Sequence, residues 1–460
     1  MTALLAARAQ MEVSLAFHMV FAALGIGVPL LMVISEGLWL RTGREHYKEL
    51  AQTWAKATAL TFAVGAVSGT ALSFELGLLW PRFMEVAGGV LGPAFALEGY
   101  AFFIEAIFLG LYLYGWDRLS PKAHWLAGLA VAISGFLSGV LVVAANAWMQ
   151  TPMGLEAALA DPGLNLTDPA MMGPLAITDA LAVFKSPSWF HMALHSSLSC
   201  FIAAGFATAG VYAMGLLKGR NDAYHRAGLT IAMAVGAVAA VLQPLSGDVS
   251  ARFVAEHQPA KLAAAEAHYE TMEAAPLTLG GIPVGDERVI LAVKIPYGLS
   301  LLAHHDPNAE VIGLDQFPEE DRPNVLITHL AFQIMVGLGF LLIAVGAWFW
   351  WVRWKRPGAV PRNRRLLWSV LIASPLGMLA LEAGWIVTEV GRQPWIIYDI
   401  MRVEHGVTPI QEVPLTLLGF FVLYVALGTA LTLLLRELAR RHGGARTADH
   451  GPETAEVTHA

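Results

Sequence analysis

The sequence predicts an all-α, polytopic membrane protein: a helical bundle of about nine transmembrane helices, with the N-terminus outside and the C-terminus in the cytoplasm. Its 460 residues are 56% hydrophobic and only 14% charged, with a mean hydropathy of +0.56, whereas about a quarter of the residues in a soluble domain are charged. The apolar residues are grouped into runs long enough to cross a bilayer. Basic residues are concentrated in every second connection between these runs.

The apolar runs each provide the roughly 20 residues that a bilayer-spanning helix needs. They lie at 11–40, 54–80, 94–116, 124–149, 188–217, 227–247, 325–352, 366–391 and 411–436. The first run is long enough to span, and no small-residue cleavage site follows a short apolar segment. We therefore expect it to be retained rather than removed as a signal peptide.

The orientation follows from the basic residues that flank the spans, because cytoplasmic connections carry an excess of Lys and Arg. Most of these residues lie in the odd-numbered connections and in the C-terminal tail: Arg41, Arg44, Lys48, Arg118, Lys122, Lys218, Arg220, Arg226, Arg353, Lys355, Arg356, Arg362, Arg364, Arg365, Arg436, Arg440 and Arg441. The intervening connections are poorer in Lys and Arg for their length and are placed outside.

The chain divides into consecutive segments. Residues 1–247 hold helices one to six, 248–324 form an outer loop, 325–441 hold helices seven to nine, and 442–460 form a disordered cytoplasmic tail that is polar and Gly-rich. The outer loop contains a helix-like piece, "PAKLAAAEAHYETMEA", and a loop of this length is more often functional than structureless. Another long outer connection, at 150–187, is rich in turn formers.

Ligand-type residues lie at similar depths in three spans that enter from outside. His18 is about ten residues into span one, roughly 15 Å at 1.5 Å per residue, and His195 and Met335 lie about seven and ten residues into spans five and seven. A His/Met pair at a common depth can hold a haem iron from opposite sides. His191, one turn from His195, is a rival ligand. A membrane histidine can also simply bond a neighbouring helix, and a lone Met more often fills a gap.

Several carboxylates lie inside the apolar spans, where they are expensive and usually functional. Glu98 and Glu105 are seven residues apart in span three and fall nearly on one helix face. They could relay protons in an oxidase or in a transporter. Glu389 lies near the outer end of span eight, with Glu382 two turns deeper, and Arg392 after it could also be a plain interfacial anchor.

Other metal chemistry is disfavoured. The single cysteine, Cys200, excludes an internal disulfide, an iron–sulfur cluster and a CxxCH haem attachment. His304 and His305 beside Asp306 resemble a metal pair, but an exposed loop segment is the preferred interpretation. No other histidine cluster offers a copper site, which counts against a haem-copper oxidase.

Motifs throughout the chain resemble one family. They are "RAQMEVSLAFH", "LEGYAFFIEAIFLGLYLYGWDRL", "NAWMQTPMG", "KLAAAEAHYET", "QIMVGLG" and, most specific, "GWIVTEVGRQPW". Together they resemble subunit I of the cytochrome bd-type quinol oxidases, over all but the tail. The loop at 248–324 is of the shorter type, as in the branch often described as cyanide-insensitive oxidases.

The resemblance implies haem ligands. His195 and Met335 match the axial ligands of a low-spin haem b. His18 and Glu389 match the ligands of two high-spin haems, one b and one d, with the pairing left open. The implied cofactors are thus two haems b and one haem d, or a haem b in its place. Arg8 and Arg392 look like partners for haem propionates, and Trp385 lies in the same motif as Glu389.

The resemblance also implies a reaction and partners. Lys261 and Glu266 match residues associated with quinol oxidation in a periplasmic loop, and Glu98 and Glu105 match carboxylates linked to proton delivery. The implied function is oxidation of quinol outside and reduction of dioxygen to water with cytoplasmic protons, electrogenic without pumping. The implied partners are subunit II in the bacterial inner membrane, with its lipid bilayer, and a small single-span subunit. No nucleic acid is expected.

Two positions depart from the family pattern. Many members carry Arg two positions before the Met ligand, where this chain has Gln333. The paired glutamates are seven residues apart, whereas some members have eight. Two other functions fit parts of the sequence: a proton-coupled transporter without haem, and a haem b quinol dehydrogenase without oxygen chemistry. The transporter does not explain the depth of His195 and Met335, and the dehydrogenase leaves His18 and Glu389 without a purpose.

Overall fold

The computed structural model describes residues 2–154, 179, 181–285, 288–410 and 412–448. Over these ranges nine helical segments are long and apolar enough to cross a membrane, as predicted. The α-helices are α1 Ala3–Thr42, α2 Glu45–Leu79, α3 Pro81–Tyr114, α4 Pro121–Gln150, α5 Trp189–Leu217, α6 Ala223–His257, α7 Pro259–Glu266, α8 Gly298–His304, α9 Val325–Lys355, α10 Arg364–Ala373, α11 Leu376–Val390, α12 Val403–Gly406 and α13 Val413–Ala448. The orientation of the termini stays a prediction.

The spanning helices form two rings, each of four helices. In the first ring α1, α2, α3 and α4 each pack on the next, and α4 returns to α1. In the second ring the order is α5, α6, α9 and α11, and α11 returns to α5. The rings meet where α1 and α4 pack on α5, and α13 lies outside against α1 and α2. Helices that are diagonal in such a ring can present ligands to a cofactor between them.

Local sequence sets the helix ends. Thr2, Ser120, Asp222 and Asn324 cap α1, α4, α6 and α9, since each side chain accepts a hydrogen bond from a backbone N–H of the first turn. The eighth span is broken into α10 and α11 at Pro375, which has no N–H to continue the helix. Gly210 of α5 lies at this break, because an added Cβ would come within 2.3 Å of the Ser374 Cβ.

The described part of the loop at 248–324 consists mainly of short helices and strands. α6 continues to His257, so 248–257 are helical. The predicted helical piece is helical only over Pro259–Glu266, because Ala267 adopts a left-handed conformation with a φ of 49° that ends α7. A hairpin follows, in which β2 Leu277–Val284 pairs antiparallel with β3 Arg288–Ile295.

Further short strands lie in this loop and after α11. β1 Met272–Glu273 pairs with β4 Glu310–Val311, and β5 Trp395–Ile397 pairs with β6 Met401–Arg402. Short 3-10 turns cover Ala182–Lys185, Leu314–Gln316, Glu319–Asp321 and Val360–Arg362. Most of the predicted connection at 150–187 lies outside the described residues. Of the predicted tail at 442–460, the first part continues α13 to Ala448 and the rest lies outside the described residues.

A buried pair, not predicted from the sequence, joins three helices of the first ring. Glu36 of α1 and His124 of α4 are almost completely buried, with 2.7 Å between Glu36 Oε1 and His124 Nδ1. His124 Nε2 donates to the backbone carbonyl of Tyr112 in α3, at 2.9 Å. The pair therefore ties the ends of α1, α3 and α4 together.

We expect Glu36→Ala to destabilise the folded protein by about 3 kcal/mol, because removing one member leaves the other buried without a partner. The measurement is thermal unfolding of the purified protein in detergent. Glu36→Gln keeps a carbonyl acceptor for His124 and should lose less. Equal losses in the two variants would show that the carboxylate contributes nothing beyond its shape.

Candidate functional site

Two predicted haem ligands, His18 and His195, are each held by a hydrogen bond between Nδ1 and a serine hydroxyl. His18 Nδ1 lies 2.9 Å from Ser68 Oγ, and His195 Nδ1 lies 2.8 Å from Ser246 Oγ. Each serine hydroxyl donates to a carbonyl of its own helix, so it accepts from the histidine Nδ1–H. This tautomer leaves the Nε2 lone pair available, which is what a metal requires. In the structure the His195 Nε2 accepts from the Gln243 amide at 3.0 Å.

His191, the rival to His195, is arranged in the same way. Its Nδ1 lies 3.0 Å from Ser250 Oγ, and Ser250 donates to the Ser246 carbonyl. Its Nε2 is buried without a hydrogen-bond partner among the described residues. Hydrogen bonding therefore does not separate the two candidates, and the preference for His195 still rests on the family resemblance.

Met335 lies on α9, diagonal to His195 on α5 in the second ring. Its sulfur faces α11, since a Cβ added at Gly384 would lie 3.0 Å from Sδ. Glycines lie against the two histidines as well. A Cβ added at Gly69 would lie 2.9 Å from His18, and one added at Gly247 would lie 3.6 Å from His195. The missing side chains leave space beside each predicted ligand.

Glu389, at the end of α11, binds two donors. Asn146 Nδ2 of α4 donates to Glu389 Oε1, and Arg392 Nη2 donates to Oε2 at 2.6 Å. Arg392 is only 3% exposed, and its Nε and Nη1 are buried without hydrogen-bond partners among the described residues. A buried guanidinium with spare donors is suited to an additional anionic group, such as a carboxylate.

Arg8 and Trp385 lie close to this site. Glu12 of α1, an acidic residue that the sequence did not single out, interacts electrostatically with Glu389, Arg8 and Arg392. Trp385 is partly buried and packs on a small apolar cluster where α1, α5 and α11 meet, formed by Ala23, Ile26, Cys200, Ala203 and Leu381. Glu382, deeper on α11, has a buried Oε1 without a partner in the described structure.

Lys261 and Glu266 are both buried in α7 of the outer loop. Lys261 Nζ donates to the side-chain oxygens of Gln150 and Gln258, at 2.5 and 2.8 Å. Burial lowers the pKa of Lys261 well below its ordinary value, with a smaller contribution from Arg392. Both Glu266 oxygens are buried without partners among the described residues, and burial raises the pKa of this carboxyl to about 8. Burial therefore favours the neutral form of both groups, and the Glu266 carboxyl is mostly protonated at pH 7.

Glu98 and Glu105 differ in their surroundings. The Glu105 carboxyl is buried against Gly135 of α4, where an added Cβ would approach its atoms to 3.1 Å. Glu98 is half-buried, with exposed neighbours on α3. The structure thus places one carboxyl inside the first ring and the other towards its surface.

The contacts of Gln333 and of His305 are also defined. Gln333 Nε2 donates to the Thr278 carbonyl at 3.0 Å, and its Oε1 accepts from the Gly280 N–H at 2.8 Å, so it fastens the β2–β3 hairpin to α9. His305 is exposed and lies 3.0 Å from Asp248. Over the described part of the chain, no group of three or more His, Cys, Asp or Glu side chains could hold a metal ion by itself.

The amide residues around Glu389 were missed. Asn146, Gln150 and Gln258 bond Glu389 and Lys261, yet an amide side chain has no chemical signature in a sequence. The available signal was the "NAWMQTPMG" motif, in which Asn146 and Gln150 are four residues apart and share a face of α4.

The residues present fit haem groups. The donor set consists of imidazole Nε2 atoms in the metal-binding tautomer, a thioether and a carboxylate, each with space provided by glycine or anchored by hydrogen bonds. The spare N–H groups of Arg392 fit a propionate. Fold and site together define a class: a multi-pass membrane protein whose helix rings carry side chains of the kinds that ligate haem, with a buried lysine and a buried glutamate in the loop at 248–324.

Comparison with known proteins identifies the family within this class. The family model described as cytochrome bd terminal oxidase subunit I matches residues 6–443. The solved bd oxidase from Geobacillus thermodenitrificans is similar, with a TM-score of 0.88 and 38% identity over 96% of this chain and 99% of that chain.

Curated relatives agree. A Bacillus subtilis (strain 168) protein provisionally named cytochrome bd menaquinol oxidase subunit I is 35% identical over 95% of this chain and 97% of its own length. The cytochrome bd ubiquinol oxidase subunit 1 of the same strain is 31% identical over 96% and 94%. The chain therefore belongs to the cytochrome bd terminal oxidase subunit I family, as its motifs indicated. It is part of a quinol:oxygen oxidoreductase of respiratory electron transport and a multi-pass bacterial membrane protein.

The raised pKa of Glu266 gives a prediction. Only the ionised carboxylate accepts a proton, so we expect kcat/KM for quinol oxidation, which reports the substrate-free enzyme, to rise with pH through about 8 and to level off above it. Glu266→Gln should remove this rise, whereas Glu270→Gln, at an exposed acid in the same loop, should keep it. The measurement is oxygen uptake with quinol between pH 6 and about 9.5. An unchanged rise in Glu266→Gln would rule out Glu266 as the titrating group.

Proposed function

We propose that this chain oxidises quinol at the outer side of the membrane through Lys261 and Glu266, and that its haem ligands are His195 with Met335, His18, and Glu389. Together with subunit II it would reduce dioxygen to water with cytoplasmic protons, so that charge separation comes from sidedness rather than pumping. When bound, the haems supply one-electron redox chemistry and an open position for dioxygen. The observation that carries the proposal is the shared tautomer of His18 and His195, which leaves both Nε2 atoms available to iron.

Lys261 and Glu266 can divide the two protons of a quinol. Lys261, whose burial favours the neutral amine, takes the first proton, and the resulting ammonium steadies the quinol oxyanion. Glu266, once ionised, takes the second. Both groups are buried, so each charge that forms has little water around it. We propose quinol as the substrate class, since relatives named for menaquinol and for ubiquinol both match.

Protons for water need a path from the opposite side of the membrane. Glu105 is inside the first ring and Glu98, two turns along α3, lies towards its surface, so we propose that Glu105 and then Glu98 carry them outward. Arg8 and Arg392 would hold propionates, and Trp385 would pack beside the haems. Subunit II is the proposed membrane partner, with a small single-span subunit as a further one. Family membership sets aside the haem-free transporter and the dehydrogenase without oxygen chemistry.

The test is a dithionite-reduced minus air-oxidised spectrum of the purified complex, on wild type and on Met335→Leu. We expect bands of haem b with a red-absorbing chlorin band in the wild type. In the variant we expect the low-spin haem b signal to collapse, because Leu cannot ligate iron. A wild-type complex without haem bands would overturn the proposal, and an unchanged low-spin signal in Met335→Leu would remove Met335 from the ligand set.

A further inference from the structure

A line of hydrogen-bonded side chains connects the outer loop to Glu389. Lys261 Nζ donates to Gln150 Oε1 at 2.5 Å, and Gln150 Nε2 donates to Asn146 Oδ1 at 3.0 Å. Asn146 Nδ2 then donates to Glu389 Oε1. Lys261 and Gln150 are buried, so water does not compete strongly for these bonds. We call Lys261, Gln150, Asn146 and Glu389 the amide relay.

The direction of the relay is fixed by its Glu389 end. The Glu389 carboxylate receives Arg392 on its other oxygen and can only accept. Asn146 must therefore turn its NH2 group to Glu389 and its oxygen to Gln150. Gln150 in turn must present its own NH2 group to Asn146 and its oxygen to Lys261. Every donor points the same way, from the lysine to the carboxylate.

A relay of this kind transmits electrostatic polarisation rather than protons. Amide groups in series polarise one another, so that a stronger donor at one end strengthens each following bond. A proton gained by Lys261 makes it a charge-assisted donor to Gln150, and the Asn146 N–H then withdraws more electron density from Glu389. A proton lost from Lys261 has the reverse effect.

Lys261 also packs against Gly391, two residues after Glu389. A Cβ added at Gly391 would lie 2.9 Å from Lys261 Cγ, so the stem of the lysine rests on the turn between Glu389 and Arg392. Gln258 holds Gln150 in place, since Gln258 Nε2 donates to the backbone carbonyl of Gln150 at 3.2 Å and to Gln150 Oε1 at 3.0 Å. A change in the position of Lys261 is therefore transmitted to the end of α11.

We propose that the amide relay couples the protonation of the quinol-loop residue Lys261 to the electron-donating strength of Glu389 as a haem-iron ligand. A proton taken from quinol would weaken Glu389 as a donor, and a haem iron held by Glu389 would then have a higher potential. Asn146 and Gln150 act as positioning residues. The inference rests on the proposed function, because it takes Glu389 to be an iron ligand.

A double-mutant cycle tests the coupling. The midpoint potential of the Glu389-ligated haem is measured by spectroelectrochemical titration of the intact complex in wild type, Lys261→Met, Asn146→Leu and the double variant. We expect Lys261→Met to lower this potential, with about a tenfold rise in the oxidised-to-reduced ratio at a fixed potential, which is about 59 mV for one electron. Asn146→Leu should lower it at least as much, and the double variant should match Asn146→Leu alone.

Gln150→Met cuts the relay while both end residues, Lys261 and Glu389, remain, and it carries the test if Asn146→Leu does not assemble. Lys261→Met should then have no effect in the Gln150→Met background. The control is Gln10→Met, which removes a buried glutamine bound to Glu75 rather than to the relay and should leave the potential unchanged. Additive shifts from Lys261→Met and the relay variants would overturn the coupling, while a wild-type complex without haem would instead overturn the proposed function.

Discussion

Glu389→Ala should abolish oxygen reduction by this complex and should also destabilise it. The variant loses the carboxylate that we propose as an iron ligand, and even the removal of an outer-shell partner of a ligand costs about 10–100-fold. We therefore expect oxygen uptake to fall by more than about 100-fold, with loss of one high-spin haem from the spectrum. Arg392 would remain buried without its anion, at a cost of about 3–5 kcal/mol in the free energy of unfolding.

Two variants separate these effects. Glu389→Gln keeps the size of the side chain but not its charge, so it should assemble better than Glu389→Ala and still lose the haem signal. Glu382→Gln removes a carboxylate from the same helix, two turns deeper, where one oxygen already lacks a partner in the described structure. It should retain all haem bands. Haem content is measured from the reduced spectrum and stability from thermal unfolding in detergent. A full haem complement in Glu389→Ala would eliminate Glu389 as a ligand.

The spanning helices were readable from the sequence because length and hydrophobicity alone decide whether a segment can cross a bilayer. The nine predicted runs correspond to nine spanning segments, and the break in the eighth occurs at Pro375. The two rings were not predictable, since hydrophobicity does not say which helices are neighbours. The diagonal placement of His195 and Met335 emerges only once α5 and α9 are placed in one ring.

At the site, residues with distinctive chemistry were predicted and residues with ordinary chemistry were missed. A histidine, a methionine or a carboxylate in an apolar span stands out, and His18, His195, Met335 and Glu389 were predicted as ligands on that basis. Asn146 and Gln150 are as closely involved, but an amide in a membrane helix has many structural uses. The Gln333 position shows the same limit: the sequence marked it as unusual, and only the contacts show that it fastens the β2–β3 hairpin.

Lys261→Met should separate quinol oxidation from oxygen reduction. Methionine preserves the volume of the side chain but cannot accept the first proton or steady the oxyanion, a contribution typically worth about 10²–10⁴-fold. We expect kcat with quinol to fall by at least about 100-fold. Oxygen uptake from a one-electron donor that bypasses the loop should fall by no more than about tenfold, the size expected from weakening one charge-assisted hydrogen bond.

Comparing quinol with the bypassing donor distinguishes a chemical role of Lys261 from a structural one. A lysine that merely holds the loop in place would, when removed, raise KM for quinol and leave kcat nearly intact, because binding and not chemistry would be lost. Lys294→Met is the matched control, since Lys294 is an exposed lysine on β3 of the same loop and should behave as wild type with both donors. Equal losses with quinol and with the bypassing donor would place Lys261 in the haem machinery rather than at the quinol. A fall in kcat with quinol that is much larger than the fall with the bypassing donor would place Lys261 in a step of quinol oxidation rather than in oxygen reduction.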